Sequence, residues 1–159
     1  MQPARGGVTN SDSLDTDARA DMDVNYFGLL NVSHEFAPIL TANAPSTMVN
    51  VLSIVSLITM PRIATYGASK AAALSATRAI RAELASQGVR VVGVMPGFVD
   101  TDLTKGLDAP KMSAYEVVDE TLAGLERGDE DIYTGTQAQG LADGYFLDHK
   151  SLERELAAY

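Results

Sequence analysis

Apolar residues along this chain change their spacing several times, and each change marks an expected element. From Asp23 to Asn43, in DVNYFGLLNVSHEFAPILTAN, they recur every three or four positions. That spacing predicts a helix stopping near Pro38 or Asn43. STMVNVLSIVSL then runs β-branched and aliphatic residues together, the pattern of a buried strand over residues 47–52. Helical spacing returns from Thr65 to about Gln87 in an alanine-rich stretch, with Gly88 placed to stop it. VRVVGVMPG predicts a second buried strand over 89–94, closed by Pro96-Gly97. SAYEVVDETLAGLERG opens on a capping box, Ser113 with Glu116, and ends at Gly128. DIYTG gives a brief third strand over 131–133, and DHKSLERELAAY a last helix.

Strands apolar on both faces, alternating with amphipathic helices, predict an α/β fold: a parallel sheet of three strands with helices on both faces. Ligands in such sheets bind beyond the carboxyl ends of the strands. Here those ends are Ser53 and the stretch from Pro96 to Thr101. The opening MQPARGGVTNSDSLDTDARADM is polar and acidic, so it reads as a loop-like lead-in. The chain thus divides into a lead-in, 1–22, and a folded portion, 23–159.

Composition narrows the classes. At 159 residues with 46% hydrophobic content, the chain suffices for one domain with a real core. A net charge of −9 repels phosphate backbones and anionic lipid, which argues against nucleic-acid and membrane partners. Zero cysteines exclude disulfides and thiolate metal sites and agree with a cytoplasmic location. No metal site is expected. His34-Glu35 opens like a zinc-protease helix, but Pro38 stands where its second histidine belongs. The aspartates of the lead-in (Asp12, Asp15, Asp17, Asp21) and Asp23 lack calcium-loop spacing and read as solvated.

Reactive side chains are few, which draws attention to TYGASK. Tyr66 and Lys70 are four apart on the expected helix, so phenol and ammonium share a face. A phenol with pKa near 10 is about 0.1% ionised at neutral pH and a poor base. Lowering that pKa by about three units takes about 4 kcal/mol, more than one surface lysine supplies. A second cation in a dry cleft would help. On spacing alone, an exposed tyrosine beside a solvated lysine explains the pair equally well.

Context extends the pattern. VNYFG, MVNVLSIVSL, YGASKAAALSATRAIRAEL and VRVVGVMPGFVDTDL follow one another over roughly residues 20–104. In this order and spacing they resemble the short-chain dehydrogenase/reductase family. The resemblance implies a partial Rossmann-like sheet and NAD or NADP as cofactor, with a small carbonyl or alcohol as substrate. It makes Tyr66 the catalytic acid/base, with Lys70 lowering its pKa and holding the nicotinamide ribose. Ser53 would hydrogen-bond the substrate oxygen. Asn25 would kink its helix and hold a water linking Lys70 to solvent. Pro96, Gly97, Val99 and Thr101 would border the nicotinamide. The helices around 23–43 and 65–87 would form a homo-oligomer interface.

The sequence also departs from that family. It contains no Gly-x-x-x-Gly-x-Gly turn to seat a pyrophosphate, and no residue to choose NAD or NADP. The Gly6-Gly7-Val8 stretch resembles at most the far edge of that half. The expectation is therefore a C-terminal, N-terminally truncated portion of a longer member, inactive by itself. The competing expectation is a non-catalytic module that acts only by binding or dimerisation. Missing neighbours would leave the strand at Val49, Val51 and Leu52 with an unpaired apolar edge. Tyr145 and Phe146 are candidates for a pocket border or for the core.

Overall fold

The computed structural model describes residues 8–9 and 14–158. Its elements are α1 (Leu14–Met22), a π-helical turn (Asp23–Phe27), α2 (Gly28–Ala42), β1 (Ser46–Val51), α3 (Ala64–Leu84), β2 (Val89–Pro96), α4 (Ala114–Arg127), β3 (Asp131–Thr134) and α5 (Gly135–Leu156). The three strands form one parallel sheet in the order β1-β2-β3. The expected fold class and strand positions are therefore found. Each β-to-β connection carries a helix, as parallel pairing requires.

Alternation along β2 assigns the layers. Val89, Val91 and Met95 pack toward Leu84, Leu74 and Ala73 of α3, while Val92 and Val94 join Ile132, Val117 and Leu125 under α4. Gly124 is needed at that second contact, because a Cβ there would lie 2.6 Å from Ile132 Cδ1. Arg81 of α3 ties the layers together. It donates to Val91 O at 2.7 Å and pairs with Asp131 Oδ1 at 2.7 Å. Helix stops fall on glycines with positive φ, Gly88 at 74° and Gly128 at 90°, where a side chain would be strained. Ser113 and Glu116 form the expected reciprocal cap on α4.

Two expectations need correction. The lead-in is not a loop throughout: Leu14–Met22 is helical and runs unbroken through the π turn into α2. Gly6, Gly7 and Asp12 lie outside the described residues. Helix α2 runs past Pro38 to Ala42 with Asn43 as its cap, the second of the two expected stops. The last helix begins not at Asp148 but at Gly135, with Asp148 as a non-helical kink inside it. Asp148 Oδ1 accepts from the backbone N–H groups of Lys150 and Ser151, so Asp148 caps the second segment of α5.

Cover of β1 is partial, as the expected apolar edge implies, except at Leu52. Met48 and Asn50 of β1 face α2 and α3, but α4 reaches only β2 and β3. Val49 and Val51, on the other face of β1, stay 39% and 66% exposed, while Leu52 is buried. Among the described residues, strand β1 has a partner on one side only.

Candidate active site

The sheet delivers its polar chemistry beyond the carboxyl ends of β1 and β2. Chain leaving β1 reaches Ser53, whose hydroxyl accepts from Val55 N and caps a single 3-10 turn, Ile54–Ser56. That turn packs Ile54, Val55 and Ile58 against Ala138, Ala142 and Leu156 of α5. The chain then returns to start α3, whose first turn carries Tyr66. Ser53 and Tyr66 line one cavity of about 670 Å³. Their side chains are close enough for the Ser53 hydroxyl to act on the Tyr66 phenol, whose pKa it lowers.

Most of the cavity wall is apolar: Ile54, Val55, Met60, Phe98, Leu107 and Leu141 contribute. Gly97 contributes backbone. A Cβ there would stand 3.0 Å from Gln137 Oε1, so glycine lets α5 approach the end of β2. A smaller hollow of about 520 Å³ lies between α4 and α5, beside Glu120, Arg127 and Tyr133, away from the Ser53 and Tyr66 hydroxyls.

Lys70 lies one turn after Tyr66, with its ammonium 5.8 Å from the Tyr66 ring centroid. It donates to Val51 O at 3.2 Å. Burial lowers its pKa below the ordinary lysine value. The resemblance implies a Tyr66 with depressed pKa, whereas here burial raises it above the usual phenol range. The Ser53 hydroxyl opposes that rise, and the charge of Asp21 adds to it. The physical reason for the difference is distance and partnering: the Lys70 ammonium sits over the ring and bonds a backbone carbonyl, not the hydroxyl.

Asn25 lies inside the π turn, where the helix is widened. Its amide donates to Ser69 Oγ at 3.0 Å, and Ser69 in turn donates to Tyr66 O at 2.7 Å. Pro96 is buried at the end of β2, in register with Thr134. Val99 and Thr101 follow but do not line the cavity. Val99 O accepts from Thr104 Oγ1, and Thr101 caps a short turn at the surface. The structure thus gathers Ser53, Tyr66, Lys70 and Gly97, keeps Asn25 behind α3, and sets Val99 and Thr101 at the rim.

Sequence reasoning missed several neighbours. Thr104 and Gln137 line the cavity, although no spacing singles them out. Asp21, read as solvated, is only 5% exposed and accepts from Thr65 Oγ1 at 2.9 Å. A signal existed: Asp21 and Asn25 are four apart, and so are Thr65 and Ser69. Asn50 donates to Thr77 Oγ1 at 3.1 Å. Tyr145 packs into the core and Phe146 is largely exposed; neither borders the cavity.

A parallel sheet with a serine, a tyrosine and a lysine beyond its strand ends defines a Rossmann-like α/β protein. The family model for short chain dehydrogenases matches residues 5–111, and the chain belongs to that family. It is 36% identical over 137 residues to a 1-deoxy-11-beta-hydroxypentalenate dehydrogenase of Streptomyces avermitilis, covering 81% of this chain and 51% of that protein. It is 32% identical over 123 residues to estradiol 17-beta-dehydrogenase 2 of Rattus norvegicus, covering 77% of this chain and 32% of that one. A solved short chain dehydrogenase from Burkholderia cenocepacia J2315, in complex with NADP, matches with a TM-score of 0.92 at 41% identity. That match covers 98% of this chain and 65% of the other. The chain spans about half the length of the first of these curated relatives.

Proposed function

We propose that these residues form the proton-transfer portion of an NAD(P)-dependent oxidoreductase that interconverts carbonyls and alcohols. The observation that carries the reading is the convergence of the Ser53 and Tyr66 hydroxyls on one apolar cavity, with the Lys70 ammonium one turn away. The nicotinamide, when bound, supplies or accepts the hydride. Tyr66 gives its proton to the carbonyl oxygen in reduction and takes it from the alcohol in oxidation. Ser53 hydrogen-bonds that oxygen as charge develops. The apolar wall favours a substrate with an apolar body, and we place the reaction in the cytoplasm.

The chain's groups fit the nicotinamide end of such a cofactor. The Lys70 ammonium has three donors and makes one described hydrogen bond, to Val51 O, leaving donors for ribose hydroxyls. Tyr66, Lys70, Pro96, Gly97, Val99 and Thr101 are the residues we assign to that end. Asn25, through the widened turn, is assigned the water that connects Lys70 with solvent. The other end finds no fit, because these 159 residues contain no glycine-rich phosphate turn. Contacts with the remote part of a ligand normally help to orient its reacting end. Taken alone, these residues are therefore inactive. Titrating the chain with NADH and NADPH, followed by nicotinamide fluorescence, tests this. No saturation at micromolar cofactor is expected, and saturable binding would overturn the inactive reading.

A second reading, a non-catalytic module that binds another subunit, is favoured by one observation. Val32, Phe36 and Ile39 expose an apolar stripe on α2. Homo-oligomerisation through α2 and α3 is compatible with both readings.

A further inference from the structure

Two side-chain bonds, one buried and one part-buried, join the start of the helical pair to α3 in matching register. Asp21 Oδ2 accepts from Thr65 Oγ1 at 2.9 Å, and Asn25 donates to Ser69 Oγ at 3.0 Å. Each partner is one helical turn beyond its predecessor, so the bonds form consecutive rungs of a polar ladder. The rungs bracket Tyr66: Thr65 is its chain neighbour, and Ser69 donates to its carbonyl. Asp21, Thr65 and Ser69 are all buried. Burying a carboxylate in a helix interface is costly unless it is well partnered, and an apolar residue would pack there at lower cost.

We propose that Asp21 is a positioning residue for Tyr66, its carboxylate clamping Thr65 so that the first turn of α3 holds the phenol toward Ser53. The second rung, through Asn25, fixes the following turn and with it Lys70. Because the two rungs start on either side of the π turn's first residue, the widened turn lets both meet α3 in register. The carboxylate also acts at a distance. A negative charge close to a phenol disfavours the phenolate, so Asp21 adds to the burial that keeps Tyr66 protonated, the form needed to give a proton to a carbonyl. Tyr66 meets Asp21 from α1, Lys70 from α3 itself and Ser53 from the end of β1. Arg62, Asp108 and Glu155 share its cavity.

The proposal rests on the acid/base role assigned to Tyr66, but its test reads the tyrosine and needs no turnover. The chain is labelled in its tyrosine ring carbons, and the Tyr66 resonance is assigned by its loss in Tyr66→Phe. In Asp21→Asn the Tyr66 titration is expected to move to lower pH, with the other tyrosines unmoved. An unchanged or upward titration in folded Asp21→Asn overturns the proposal. A separate pair of variants covers the case in which that substitution prevents folding. Thr65→Val removes the donor and is expected to displace the Tyr66 resonance, whereas Thr65→Ser keeps the donor and restores it. If Thr65→Val leaves the resonance where it is, or if Thr65→Ser displaces it as far as valine does, the clamp is refuted. Turnover unaffected by Tyr66→Phe in a chain completed with a cofactor-binding portion, with these titrations intact, would count against the acid/base function alone.

Discussion

Tyr66 sits where its proton is held firmly. Burial raises its pKa above the ordinary phenol value of 10.0, with Ser53 opposing and Asp21 assisting. The sign of the linked stability follows. Below pH about 10 both folded and unfolded chains keep the proton, and the contribution of Tyr66 is fully present. As pH rises through the unfolded and then the raised folded value, the unfolded chain loses its proton first and stability falls. Urea midpoints stepped upward from pH 9 are therefore expected to decline more steeply in wild type than in Tyr66→Phe. Equal slopes would mean that the phenol is not held as the structure indicates. The same environment explains why the site was only partly legible. Spacing brought Tyr66 and Lys70 together, and family order added Ser53. Family order did not reveal that Asp21, in a run of surface-like aspartates, turns inward to Thr65. The matched four-residue spacings of Asp21 with Asn25 and Thr65 with Ser69 were its one trace in the sequence.

Among the elements, local chemistry and packing contributed unequally. The strands were legible because β-branched runs with no polar interval fit little else, and α4 because its cap is written in Ser113 and Glu116. Removing that cap has a defined cost: Ser113→Ala should destabilise the chain by about 1 kcal/mol in urea unfolding. A loss below the error of the measurement would show that the end of α4 frays freely. The first part of α5 was not legible, since TQAQGLADGY contains two glycines and no strong apolar period. Tertiary packing makes it helical. Ala138 and Ala142, one turn apart, bury themselves against Ile54, Val55 and Ile58. Helix α1 was hidden for a similar reason, its one buried residue being an aspartate.

Across the described residues, strand β1 pairs with β2 alone and leaves Val49 and Val51 on an uncovered face. Unpaired edges and exposed apolar side chains promote association. Sedimentation velocity is expected to show concentration-dependent association that Val51→Lys weakens, since a charge on an edge strand opposes pairing. A monomer at every concentration in wild type would mean that the net charge of −9 keeps copies apart despite this edge.

The most direct test of the account joins these 159 residues to the preceding portion of the Burkholderia cenocepacia neighbour, which is 41% identical and matches with a TM-score of 0.92. NADPH oxidation by the folded chimera is followed with apolar ketones. The account predicts turnover that falls by about two orders of magnitude or more in the Tyr66→Phe chimera, as expected when a general acid is removed. Turnover unchanged by that substitution would contradict it, because the proton would then travel by a route that does not pass through Tyr66.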